Sequence, residues 1–223
     1  MASVPSGSTV PPVAHAPAPS TAGEHTRRKG AQTRRAILDA AIARFGRDGY
    51  RATSVTDIAR DARVSGTLAY AYFPNKEALF LAACDDDAAA VINEGVMTVL
   101  DDRHDTAWRE TLVLDLAAAM EHHPLARRLL AGLEPEVTAR VLEIPALNDL
   151  RRACVERLRA EQEAGTVRAD VDPVSMGNGI VAIMLSLLMS VVQLGKQATV
   201  VYAADVTAVF DAATRPTGPP ARG

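Results

Sequence analysis

The chain has 223 residues and a formal net charge of -3, a length that allows one or two domains with a sizeable core. Taken as an average, that charge argues against a nucleic-acid binder, but it conceals an asymmetry. Residues 26–80 hold eleven Lys/Arg and five Asp/Glu, a local +6, whereas residues 81–223 hold 13 and 21, a local -8.

A basic amino-terminal module on an acidic body fits a phosphate-binding head on a soluble effector domain; the competing reading is a merely solvated basic face. Two cysteines, Cys84 and Cys154, give neither metal-ligand spacing nor a disulfide framework. Both fall in apolar helical stretches, where buried structural thiols are favoured over a redox switch, so the expected compartment is the cytoplasm.

Residues 1–25 are rich in Pro, Ala, Ser, Thr and Gly with Glu24 as their one Asp, Glu, Lys or Arg. They show no basic start and no apolar run, which excludes a secretory signal, and are expected to form a disordered arm. Thr26-Arg27-Arg28-Lys29, with Arg34 and Arg35, makes a basic cluster. It reads as a solubilising tail or as an arm reaching DNA phosphates or the minor groove. Ile37, Leu38, Ala41, Ile42 and Phe45 then mark an amphipathic helix from about Gln32 to Asp48, ended by Gly49.

From Thr53 to Leu79 the sequence reads TSVTDIARDARVSGTLAYAYFPNKEAL. Ser54 can cap a helix with Asp57 answering in a capping box, and Val55, Ile58, Ala59 and Ala62 recur on one face. Arg63-Val64-Ser65-Gly66 interrupts that period, and Ser65 caps a second helix through Tyr72. Pro74-Asn75 breaks the chain again, with Asn75 capping a longer helix from Lys76-Glu77. Two short helices around a tight turn match a helix-turn-helix.

This stretch resembles the DNA-binding motif of TetR-family transcriptional regulators. The matching residues are Thr53, Ser54, Val55, Ile58, Ala59, Ala62, Val64, Ser65, Tyr70, Tyr72, Phe73, Asn75, Lys76, Glu77 and Leu79, in order and without a gap. Arg63 stands where the family's turn glycine is usual, so it must adopt a backbone conformation glycine accepts more readily. Thr67 and Ala69, where a small and a larger apolar residue are common, also depart from the pattern.

The motif's position directly behind the basic cluster favours a DNA arm of Arg27, Arg28, Lys29 and Arg34. Asn75-Lys76 opens a helix whose free N–H groups and ammonium suit a phosphate. Ser54 and Thr56 are expected at phosphates or a base edge. Gly66, Thr67, Leu68, Tyr70, Ala71 and Tyr72 span the recognition helix, with Thr67 and Leu68 near base edges; the resemblance implies a phosphate contact for Tyr70. For Tyr72 and Phe73 the competing role is core packing, which is preferred for Phe73. The helix has no Arg, Asn or Gln, so reading must lean on Thr, Tyr, the basic arm, water or DNA shape.

Downstream, a helix is expected from Lys76 to about Leu100, with Asp85-Asp86-Asp87 as a solvated acidic face. Another should run from Thr106 to about His122 with Trp108, Leu112, Val113, Leu116 and Met120, closed by a partly exposed His122-His123 pair. Shorter helices follow at Leu125–Leu133 and Glu136–Leu142. Pro145 to about Ala164 is strongly amphipathic. Pro173 to about Leu194 is apolar nearly all round and interrupted by Ser186, Ser190 and Gln193, which suits a helix buried on two sides better than a membrane span. A last helix from about Val201 to Ala213 should turn Val206, Val209 and Phe210 inward.

The expected fold is all-α: a disordered arm (1–25), a three-helix DNA-binding domain (26–80), a helical effector-binding and dimerisation domain (81–215), and a disordered tail (216–223). The last two helices resemble the pair through which family members dimerise as a four-helix bundle. The resemblance therefore implies a homodimeric, ligand-released repressor of a pseudo-palindromic operator, with activation as the alternative within the family. An apolar small-molecule effector is expected around Trp108, Leu112 and Met120, although such residues are more often plain core. No catalytic constellation, metal set or cofactor loop is found, and neither an enzyme nor a membrane protein is expected.

Overall fold

The computed structural model describes residues 21–96, 108–135, 139 and 142–216, and among these the regular structure is helical, with no strand. The helices are α1 (Thr21–Ala52), α2 (Val55–Asp61), α3 (Gly66–Tyr72) and α4 (Lys76–Gly95), then α5 (Trp108–Ala119). After a 3-10 turn at Met120–His122 come α6 (Pro124–Leu130), α7 (Pro145–Glu163), α8 (Pro173–Leu194) and α9 (Lys196–Thr214). Most of the segment expected as a helix at Glu136–Leu142 lies outside the described residues.

The caps form as their side chains dictate. Ser54 Oγ accepts the Asp57 N–H at 3.1 Å, Ser65 Oγ accepts that of Leu68 at 3.1 Å, and Asn75 Oδ1 accepts that of Ala78 at 2.7 Å. Asp172 receives the N–H groups of Val174 and Ser175 at the start of α8. At the far end of α1, Gly49 takes φ 84°, ψ 169° and breaks the helix where its sequence position implies. The start differs from expectation. α1 begins at Thr21, well ahead of Gln32, and carries the basic cluster on helical backbone. Good helix formers (Ala22, Glu24, Arg27, Arg28, Lys29) sustain those turns without the apolar face by which a buried helix is recognised.

α1 is packed against α4 and against α6. Phe45, Tyr50 and Phe80 form an aromatic cluster between α1 and α4, with ring centroids 5.0 Å apart for Phe45–Phe80 and 4.9 Å for Tyr50–Phe80. Gly46 lets α1 approach α6 at Pro124 and Leu125.

The acidic triplet on α4 is not a solvated face, which corrects the sequence reading. Asp85 Oδ1 accepts the Ala146 N–H at 2.8 Å, at the start of α7. Asp86 receives Arg35 of α1 at 2.8 Å. Asp87, 3% exposed, accepts the Ala126 N–H at 2.8 Å and pairs with His123 Nδ1 at 2.7 Å. Successive residues on a helix point about 100° apart, so three adjacent carboxylates reach three different partners. Two of them satisfy orphan N–H groups at helix starts. His123 is correspondingly buried while His122 is exposed, so the expected exposed pair is split.

α8 buries one stripe (Gly177, Ile180, Val181, Met184, Leu188) against its own chain. The opposite side is open: Ile183 is 38% exposed and Leu194 71%. On α9, Val209 is 68% exposed rather than turned inward. By length and composition α8 could cross a membrane; its buried stripe is that of a helix packed on a folded body.

Candidate nucleic-acid interface

α2 and α3 are held by local chemistry that leaves one face free. Val55, Ile58 and Ala59 of α2 are buried. Arg44 of α1 pairs with Asp61 at its end. The α2–α3 turn is closed by the Val64 N–H to Ala59 O at 2.9 Å and the Arg63 N–H to Arg60 O at 3.1 Å, a Schellman arrangement with Arg63 at φ 56°. Arg63 thus occupies the left-handed conformation that its place in the motif demands.

On α3, Ala69 is completely buried and Phe73, just beyond, is 4% exposed, as preferred for Phe73. Thr67, Leu68, Tyr70 and Ala71 face solvent, with Tyr70 50% exposed; Gly66 and Tyr72 are half-buried. Arg27, Arg28, Lys29, Arg34, Ser54 and Thr56 are exposed. The Ser54 hydroxyl is engaged locally: besides accepting the Asp57 N–H, it donates to Asp57 Oδ2 at 2.7 Å, which chiefly holds that carboxyl below the usual range.

Cations collect beside the end of α3. Arg34 lies over the Phe73 ring at 5.4 Å from its centroid. A Cβ on Gly30 would lie 3.4 Å from the Tyr72 hydroxyl, so the basic turns of α1 run alongside α3. Lys76, half-buried, places its ammonium 4.5 Å over the Tyr50 ring and donates to Arg51 O at 3.3 Å. It is anchored rather than freely projecting. An anion there would meet a pre-positioned charge and the first turn of α4.

The body holds a partly open apolar cavity of about 110 Å³ between α4, α6, α7 and α8. Its lining includes Val91, Leu129, Leu147, Leu150, Met184 and Leu188, and is apolar apart from the Cys84 thiol. Burial pushes that thiol well up, and the neighbouring Asp87 charge adds to the effect, so it is neutral. Of the residues expected around an effector, Met120 lines this cavity, and Leu112 is buried without lining it. The side chain of Trp108 lies outside the described residues. The rest of this cavity's lining does not stand out in the sequence, because a pocket built from Leu, Val, Ile and Met has the periodicity of ordinary core.

Joints between head and cavity walls were equally invisible in the sequence. Glu134 accepts the Tyr50 N–H at 3.1 Å and Arg128 Nε–H at 2.6 Å, bracing the bent end of α1 against α6.

Comparison with known proteins agrees with this geometry. Residues 37–83 match the sequence model of bacterial regulatory proteins, tetR family. The A-factor receptor protein of Streptomyces griseus is 30% identical over 155 residues, which is 69% of this chain and 53% of that one. The chain thus spans about half the length of that relative. A solved structure on the molecular basis for control of antibiotic production by bacterial hormones superposes with TM-score 0.60 at 25% identity, covering 82% of this chain and 98% of that one. Thermus thermophilus FadR, a TetR-family transcriptional repressor in complex with lauroyl-CoA, shares the fold with TM-score 0.60 at 24% identity, covering 85% and 99%.

Proposed function

We propose, from the premise that this chain is a transcriptional regulator of the tetR family, that it acts as a cytoplasmic homodimeric repressor released from its operator by a small apolar effector. The observation that carries the DNA reading is the exposed face of α3, with Thr67, Leu68 and Tyr70 outward and Ala69 inward, flanked by Arg34 and Lys76. Thr67 and Leu68 approach base edges, Tyr70 and Lys76 hold phosphates, and the helical basic turns with Arg27, Arg28 and Lys29 add sequence-independent attraction.

The uncovered apolar side chains of α8 and α9 (Ile183, Met189, Leu194, Tyr202 and Val209) support dimerisation through those two helices, since a patch of this kind on a soluble protein calls for a partner. Two-fold symmetry then requires an inverted-repeat operator with half-sites about 34–36 Å apart, or multiples of that.

The cavity supports the effector reading, and the relative named as a receptor lends it weight. Its walls, α4 and α6, are also the helices that grip α1 through Arg35–Asp86 and Gly46–Pro124. An occupant that fits better when these walls move apart favours a different placement of the heads, and can shift the equilibrium only by its differential affinity for the two states. The test is selection of bound fragments from random duplex DNA by the purified protein. Enrichment of an inverted repeat is the expected result; enrichment of nothing, or of a single unrepeated half-site, would overturn the dimeric-operator reading.

A further inference from the structure

Next to the apolar cavity lies a second one of about 180 Å³, and Met120 lines both. The second differs in chemistry: Arg127 and Glu121 stand on its wall with Ala117, Val191 and Val192. Glu121 has interactions of its own, whereas Arg127 is exposed and has no ion-pair partner among the described residues. Gln193 donates to Leu130 O at 3.0 Å and ties the end of α8 to the end of α6 beside this groove.

The two spaces impose different requirements on an occupant. In the first, no side chain among the described residues can pair with a charge or satisfy a strong hydrogen-bonding group, so burying one there costs several kcal/mol. An apolar cavity of about 150 Å³ stays dry and admits benzene, so 110 Å³ suits a few linked carbons. Met120 between the spaces is unbranched and adaptable, and can swing aside to let a chain continue into the groove. There the exposed Arg127 guanidinium, which has no ion pair among the described residues, offers charge-assisted hydrogen bonds to an anion.

We propose that the effector is an amphiphile: its hydrocarbon end fills the cavity between α4 and α8, the chain passes Met120, and its anionic head pairs with Arg127. This rests on the effector-pocket reading above and extends it, adding a charged end to the apolar effector. The head can be a carboxylate or a phosphate ester, and the two arms of the experiment distinguish them.

The full-length protein is titrated with octanoate, octyl phosphate and octan-1-ol by calorimetry, and release of labelled operator DNA is followed in parallel. At least one anion is expected to bind about tenfold tighter than the alcohol; the tighter anion names the head. In Arg127→Ala this advantage disappears while the affinity for octanol is kept. Leu188→Trp, or the milder Ala88→Leu should the first not fold, weakens all three. Equal affinity for alcohol and anions in the unmodified protein, equal weakening of alcohol and anions by Arg127→Ala, or no binding of any probe overturns the proposal. Octanol releasing DNA as well as the anions do would remove the anionic head and leave the apolar effector pocket standing. Failure to bind DNA without any probe is a failure of the regulator reading instead.

Discussion

A Cβ on Gly46 would lie 2.9 Å from the Cβ of Pro124 and 3.0 Å from the backbone nitrogen of Leu125. α1 and α6 therefore meet at a point where neither backbone can retreat cheaply. Alanine at 46 would gain about 1 kcal/mol in helix propensity, but overpacking costs about 1–3 kcal/mol, and the clash wins. Gly46→Ala is expected to lower the melting temperature, and Gly46→Val to lower it further. A rise with alanine would mean that the two helices yield readily at this crossing.

Asp87 is the most deeply placed carboxylate of the acidic turn, with His123 and the Ala126 N–H both directed at it. Asp87→Ala leaves both without their partner, at about 1–3 kcal/mol for each buried group. Asp87→Asn keeps an acceptor for one of them and should cost clearly less. Denaturant unfolding of the two variants checks the order; equal losses would mean that the carboxylate's hydrogen bonds contribute nothing specific.

Arg63 at φ 56° bears the cost of a left-handed L-residue, about 1–2 kcal/mol. Arg63→Gly removes that strain but frees the unfolded chain, so a net gain of up to about 1 kcal/mol is expected. Arg63→Val, β-branched in the same conformation, should lose about 1 kcal/mol or more. Thermal unfolding of the pair should separate them in that order.

Lys76 and Thr67 should fail differently. Lys76→Ala is expected to weaken binding to every duplex and to reduce the slope of log affinity against log salt by about one. Because its ammonium also rests on the Tyr50 ring, about 0.5–1 kcal/mol of stability should go with it. Thr67→Ala should leave stability and salt slope unchanged while altering the preference among operators. Fluorescence anisotropy across a salt series distinguishes the two patterns, and an equal loss on all sequences would reassign Thr67 to positioning.

Cys84 and Cys154 are 1% and 0% exposed. Maleimide labelling in native buffer should be slow and should accelerate only through the unfolding transition, with no loss of DNA binding on mild oxidation. Rapid native labelling would show that the core opens at these positions far below the global unfolding free energy.

The head was legible because its signals are local. Ser54, Ser65 and Asn75 act through their side chains, and Gly49 through its lack of one, on backbone within a few residues, which places those helix ends. The outward Thr67 and Tyr70 follow from helical period once Ser65 is taken as a cap, whereas Ala69 stands out in the sequence only as a departure from the motif and its burial emerges from the structure. The Asp85–Asp87 turn misled for the opposite reason. A carboxylate's partner 39 or 61 residues away leaves no mark near the carboxylate itself. Val209 misled because an apolar residue on a covered helix face and one on an open face have the same spacing.

Joints that cross from one module to the other limit how such a protein can be re-engineered. α4 runs unbroken from Lys76 to Gly95, so a graft that exchanges reading heads between relatives invites a cut near Phe80. Such a chimera would present Asp86 and Glu134 of the host with foreign residues in place of Arg35 and the Gly49–Tyr50 bend. A transplant that keeps its head seated on the host body must carry matched pairs from both sides of the seam, choosing its donor by positions 35, 46 and 49 as much as by the residues of α3.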